Sequence, residues 1–314
     1  MWRQDRLGEE PDRTFDEAAL RFLKLYANAR DYRNKVRHVA YWREQFRNRT
    51  VRSLTAGDVM DAAPTHKLRS GRPAVPLAPA TINRYVATMG RILSLCGEWG
   101  WIRKAPKLTT HEEPETRVRW EPRPVIVRLI KAMTVRWMQE LSLFAVATGM
   151  RQGEITSLTW AQVDMAKRHA YVTAPGAKSK KARAVPLNAD AMEVLRQRRG
   201  LHPTLVFTRS SVPDREAIPI QEVDRRVLAR ACAVVGIQDF HFHDFRHTWA
   251  SWHVQSGTPL LVLKELGGWK KLEMVLKYAH LAPDHLATHA NAVTFWSQPD
   301  AQKEKPPLEA VSST

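Results

Sequence analysis

His243-Asp244-Phe245-Arg246-His247-Thr248-Trp249-Ala250-Ser251 opens a helix predicted over 243–256, with an imidazole and a guanidinium one turn apart at its start. Upstream, Thr148-Gly149-Met150-Arg151-Gln152-Gly153-Glu154-Ile155 follows an apolar helix over 135–148. Gly149 can end that helix, Arg151 starts the next turn, and Glu154 lies three residues on, able to orient the guanidinium. Between the two segments, Ala177-Lys178-Ser179-Lys180-Lys181-Ala182-Arg183-Ala184-Val185-Pro186-Leu187 is a cationic turn between short strands at 169–173 and 183–187. Downstream come Leu266-Gly267-Gly268-Trp269 and then Tyr278, nine residues after the tryptophan. Taken singly, each has a plain explanation: a helix-start arginine paired with Glu154, turn charge, a satisfied histidine, a packed tyrosine.

The surrounding chain is organised in two blocks. Thr14 with Glu17 forms a capping box, and Phe15, Ala19, Phe22, Leu23 and Tyr26 recur at helical spacing behind it. A second helix is predicted over 31–47, with Val36, Val39 and Phe46 inward and its arginines outward. A short third helix follows Leu54-Thr55, and a long one covers 79–96. Residues 64–79 are rich in Pro, Gly and basic side chains and read as a loop. The polar, unperiodic stretch 103–118 reads as an interdomain linker. In the second block, further helices are expected over 188–199, 221–235, 259–266 and 271–279. The boundaries that follow are an N-terminal tail 1–13, a helical domain 14–102, the linker 103–118, a mixed α+β domain 119–296 and a polar C-terminal tail 297–314.

Charge points to the partner. The 314 residues carry 49 Lys/Arg against 32 Asp/Glu, a net charge of +17. Residues 1–118 hold 22 Lys/Arg against 14 Asp/Glu, and the remainder holds 27 against 18, so both blocks carry the excess. That distribution suits a protein whose two domains both face a polyanion. The densest run is Arg30, Arg33, Lys35, Arg37, Arg43, Arg47, Arg49 and Arg52, opposed only by Asp31 and Glu44. Arg30, Arg33, Arg37, Arg43 and Arg84 are the candidate phosphate contacts of this block. No stretch approaches 18 apolar residues, and the N-terminus lacks the apolar run of a signal peptide. Cys96 and Cys232 lack metal-type spacing and read as buried free thiols of a cytoplasmic protein.

In order and spacing, the set Arg151, Lys178, His243-x-x-Arg246, Trp269 and Tyr278 resembles the tyrosine recombinase, or phage integrase, family. The resemblance covers the second block, and the first matches the family's core-binding domain in position and character. It implies an all-α, SAM-like core-binding domain and a mixed α+β catalytic domain of the DNA breaking-rejoining fold, closing as a C-shaped clamp on duplex DNA. Tyr278 would be the nucleophile, Lys178 the general acid, and His243 a proton-transfer or phosphate-binding partner. The product implied is a 3′-phosphotyrosyl link with a free 5′-hydroxyl, made without ATP, metal or cofactor. Further implications are a homodimer on each core site, a homotetramer in the synapse, accessory DNA-bending or directionality factors, and a place in the bacterial cytoplasm at the nucleoid. A helix over 283–296 would dock in trans on a neighbouring protomer, with docking in cis as the alternative.

The chemistry suits these residue types. Two arginines present planar donor forks to a phosphodiester and to the charge that builds up in a pentavalent transition state. A tyrosine hydroxyl, with an ordinary pKa of about 10, is a poor nucleophile near neutral pH. The packed arginines, Lys178 and His243 are expected to favour its phenolate, and Trp269 adds one indole N–H donor. Many family members carry His where this chain has Trp269. Counting back from Val185-Pro186-Leu187 selects Lys178, with Lys180 and Lys181 as neighbours. With about 13 residues before the first helix, no arm-binding domain is expected. Three rivals remain. A zinc hydrolase would use His243, His247 and nearby histidines, but Asp244 replaces the usual Glu and Arg246 would sit beside the metal. A non-catalytic DNA-binding protein has no use for the six-residue set. A type IB topoisomerase shares the chemistry and differs in sequence preference.

Overall fold

The computed structural model describes residues 12–69, 72–114, 118–173, 182–213 and 216–282. The chain divides into two compact units, Met1–Thr116 and Arg117–Thr314.

In the first unit, α1 (Phe15–Leu25) starts at the Thr14/Glu17 capping box and buries Phe15, Ala18, Ala19 and Phe22. Helix α2 (Tyr32–Gln45) turns His38, Val39 and Trp42 inward. Val36 is 37% exposed, contrary to the expectation from apolar spacing. A histidine and a tryptophan take the inward stripe because each finds a polar partner there. His38 Nδ1 lies 2.9 Å from Thr88 Oγ1, and the Trp42 indole N–H donates to the Tyr85 carbonyl. Helix α3 (Ala56–Asp61) has a second capping box, Thr55 with Asp58. The expected loop at 64–79 instead contains an antiparallel hairpin, β1 (His66–Arg69) and β2 (Arg72–Pro76), with His66 opposite Pro76. Its prolines and basic residues hide it from pattern reading, since a short exposed hairpin buries no alternating face. Helix α4 (Pro79–Glu98) supplies the long wall of the core. The polar stretch after it does not leave this unit at once. The Asn83 amide donates to the His111 carbonyl and accepts from its N–H, while Ala105 and Leu108 pack on the core.

The second unit begins with α5 (Arg123–Ala132), a helix that the sequence reading did not assign. Its proline sits in the first turn, where a missing N–H costs nothing. Helix α6 (Arg136–Thr148) ends at Gly149 in the left-handed region, φ +62°, and α7 (Gln152–Thr156) follows. An antiparallel sheet runs β3 (Val163–Asp164), β4 (His169–Thr173), β5 (Ala182–Pro186), pairing Val172 with Arg183. Then come α8 (Ala189–Arg198), α9 (Arg225–Val235), α10 (Asp244–Gln255), α11 (Leu260–Gly267) and the single turn α12 (Glu273–Leu276). The helix expected over 271–279 is therefore shorter, and residues Ala279–Leu281 form a 3-10 turn. The main core runs from Ile126 to Phe245, and its Arg198–Glu140 ion pair is almost fully buried. A smaller cluster holds Trp249, Ala250, Val254, Leu263, Trp269, Val275 and Tyr278. Cys96 and Cys232 are buried free thiols.

Candidate active site

The site is built where α11 stops. The last carbonyls of a helix have no partner within it and form the negative end of its dipole. Here three consecutive carbonyls each accept from a different arginine. Leu266 accepts from Arg183 Nη1 at 2.6 Å, Gly267 from Arg246 Nη2 at 2.6 Å, and Gly268 from Arg151 Nη2 at 3.3 Å. Gly268 adopts φ +63°, and a Cβ there would lie 2.5 Å from Arg183 Cδ. Gly267 is equally committed, since a Cβ would fall inside the Trp269 ring.

Each arginine is also held from the far side. Arg246, 3% exposed on α10, donates its Nη1 to the Gly149 carbonyl and lies 4.2 Å above the Trp269 ring. Burial and the neighbouring Arg151 bring its pKa down to about 9, so it stays charged at neutral pH. Arg151 caps α7 and donates Nη1 to Glu154 Oε1 at 2.8 Å. Its side chain remains 41% exposed, which leaves it facing solvent. Glu154 Oε2 accepts from the Arg151 N–H at 2.9 Å and from Arg183 Nη2 at 2.9 Å. Burial alone would raise the Glu154 carboxyl, but that N–H and the two guanidinia hold it below the usual carboxylate range.

The tyrosine lies on the apolar side of this cationic cluster. Tyr278 is fully buried; its ring centroid is 6.0 Å from that of Trp269, and Lys277 Nζ lies 5.2 Å from the ring. Its hydroxyl lies 2.6 Å from His247 Nδ1, within hydrogen-bond distance. Burial pushes the hydroxyl pKa up and outweighs the opposing pull of Arg246. Of the cations expected to favour the phenolate, Arg246 does lower it, but the apolar cluster disfavours the charged form more than that one guanidinium stabilises it. His243 caps α10, and burial, then Arg246, Lys277 and Arg151, push its pKa down.

Arg151, Glu154, His243, Arg246, Trp269 and Tyr278 are therefore gathered in one unit. Lys178, with Lys180 and Lys181, lies outside the described residues, as does the segment 283–314. Two participants were missed: Arg183 and His247. Arg183 reads as ordinary strand charge until β5 is seen against the end of α11. His247 is visible only as the residue after Arg246. In the first unit, Arg37 and Arg84 line a cavity of about 570 Å³ with Lys35 and Arg91, while Arg30 and Arg33 are exposed elsewhere. Arg43 instead pairs with Asp16 at 2.7 Å. Among the described residues, no group of three or more His, Cys, Asp or Glu gathers in a way that could hold a metal ion.

Solved structures share this fold. The Tn1549 transposon integrase in complex with a circular-intermediate DNA superposes with a TM-score of 0.68 at 15% identity, covering 89% of this chain and 99% of that one. A lambda integrase dimer bound to a COC′ core site gives 0.64 at 16% identity, covering 83% and 97%. These likenesses define the class of fold, one shared with solved integrase chains. At the level of sequence, the integrase of Salmonella phage P22 is 33% identical over 322 residues, covering 93% of this chain and 82% of that protein. The profile of the phage integrase family matches residues 124–285. The chain belongs to the phage integrase family and is a site-specific tyrosine recombinase, an enzyme that cuts and rejoins DNA.

Proposed function

We propose that the Tyr278 hydroxyl attacks a phosphodiester of duplex DNA held by Arg151 and Arg246, giving a 3′-phosphotyrosyl link and a free 5′-hydroxyl. The observation that carries this reading is the docking of Arg183, Arg246 and Arg151 on three successive carbonyls, with the buried Tyr278 beside Trp269. Fixed guanidinia match the charge of a pentavalent phosphate without reorganising at the moment of reaction. Lys178 protonates the departing 5′ oxygen, His243 contacts the phosphate, and Glu154 and Arg183 hold Arg151 in place. The phosphotyrosyl link conserves the energy of the broken bond, so rejoining is its reversal by another 5′-hydroxyl. No resident metal or cofactor enters this scheme.

The same reading assigns residues 14–102 to a core-binding domain, 103–118 to a linker and 119–296 to a catalytic domain, flanked by tails 1–13 and 297–314. The working assembly is a homodimer on each core site and a homotetramer in the synapse. Integration or excision of a phage or mobile element is the biological task, with accessory DNA-bending or directionality proteins as partners, in the bacterial cytoplasm. Incubating the full chain in EDTA with fragmented DNA of its source, denaturing, and capturing protein-linked DNA tests the core of this reading. Wild type is expected to yield covalent DNA with one recurrent junction, and Tyr278→Phe none. Linked DNA from both would mean another residue attacks; sequence-independent plasmid relaxation would favour a topoisomerase.

A further inference from the structure

We propose that His247, rather than His243, takes the proton of the Tyr278 hydroxyl as that oxygen attacks the scissile phosphate. The inference rests on the reading of Tyr278 as the nucleophile. A phenol that attacks phosphorus must lose its proton, and the group in position to receive it is the one already hydrogen-bonded to it. That group is His247 Nδ1, 2.6 Å from the hydroxyl, in a pocket where Tyr278 is fully buried. In this assignment the tyrosine O–H donates, Nδ1 accepts, and the imidazole carries its own proton on Nε2. His243, one helical turn earlier on α10, has its ring 5.0 Å from that of His247 and nearly perpendicular to it. It braces His247 and also lies near Arg246 and Arg151.

The surroundings explain why the transfer waits for DNA. His247 is faced by Lys277, His243, Arg246 and Tyr278. Burial first, then Lys277, His243 and Arg246, push its pKa down to about 3, so at neutral pH it is an unprotonated acceptor. A phosphate on Arg246 and Arg151 brings the negative charge that offsets those cations and lets an imidazolium form. The step balances: the Tyr278 oxygen–phosphorus bond forms, its proton moves to His247 Nδ1, and the phosphorus–O5′ bond breaks. The 5′ oxygen takes a proton from the general acid. Rejoining runs both transfers backward, and His247 returns the proton. Without DNA, burial keeps the hydroxyl neutral inside the apolar cluster.

The test uses full-length wild type, His247→Asn and Tyr278→Phe on the duplex recovered by covalent capture. Asparagine retains a side-chain acceptor oxygen but cannot take a proton. His247→Asn is expected to bind this duplex as wild type does and to form the covalent complex about 100-fold more slowly at pH 7. Its rate should climb steadily towards pH 10, as the hydroxyl ionises unaided. A sulfur at the bridging 5′ position, which relieves only the general acid, should leave the deficit unchanged. A wild-type rate, an unaltered pH profile or rescue by sulfur would overturn the proposal while leaving the nucleophile intact. Covalent complex from Tyr278→Phe would overturn both. Independently of DNA, ¹⁵N-histidine spectra of the full chain should show His247 Nδ1 as an unprotonated, hydrogen-bonded nitrogen whose signal moves in Tyr278→Phe. A protonated Nδ1 in the wild type would also sink it.

Discussion

Arg246 shows why a residue type, and not merely a charge, is needed at this site. One guanidinium spans the Gly149 and Gly267 carbonyls and covers the Trp269 ring, a combination that a lysine ammonium cannot reproduce. Arg246→Lys should therefore fold normally and lower the single-turnover cleavage rate by roughly 10²–10³-fold, measured as covalent complex formed per unit time. The glycines are as specific. Gly268→Ala would force a side chain into a left-handed position already filled by Arg183. It should cost about 1–3 kcal/mol in chemical denaturation and depress cleavage through Arg183 and Arg151. A variant as stable as wild type would show that the turn relaxes without loss.

At the scale of elements, the site is a meeting of helix ends and one strand. The end of α11 supplies carbonyls, the starts of α7 and α10 supply Arg151 and His243, and β5 supplies Arg183. Helix boundaries were legible because caps leave local signatures: Thr14 with Glu17 and Thr55 at starts, and Gly149 at the end of α6. Replacing Thr14 with Ala should remove about 1 kcal/mol from the first unit, readable as an earlier denaturation midpoint. The hairpin β1–β2 and helix α5 were not legible. The first buries too little to show alternation, and the second follows prolines that resemble a linker. Arg183→Gln tests the strand's part in the site. Losing the Glu154 and Leu266 contacts should lower cleavage more than DNA binding, and an equal loss in both assays would place Arg183 on the DNA instead.

Across the whole molecule, both units carry buried polar groups whose partners lie far off in sequence. Glu140 takes Arg198 and Arg136, so Glu140→Ala would leave the buried Arg198 unpaired and should cost about 3–5 kcal/mol. His38 sits in the first unit with its pKa brought down to about 4, by burial first and then by Arg37, Lys35 and Arg84. The unfolded chain binds that proton below about pH 6.5, whereas the folded unit refuses it until about pH 4. Stability should therefore fall as pH drops through that window, and His38→Gln should flatten this part of a melting-temperature profile. Arg37, which lines the basic cavity together with His38, should act on DNA without regard to sequence. Arg37→Ala is expected to reduce the salt slope of binding by about one.

The class of this protein can be read from its chain alone. Two blocks of excess positive charge, the order Arg151, His243-x-x-Arg246, Trp269, Tyr278, and the helix-ending glycines are properties of the chain as written. Most helices and both strands flanking the basic turn also follow from periodicity and caps, because those signals act between residues a few positions apart. What surrounds the reactive groups emerges only once the chain is folded. Folding brought Arg183 to a carbonyl 83 positions away, set His247 on the Tyr278 hydroxyl, and placed that hydroxyl in an apolar cluster that keeps it protonated. The physical reason is that desolvation, and the choice of hydrogen-bond partner, depend on which distant segments pack together, and no local pattern encodes either.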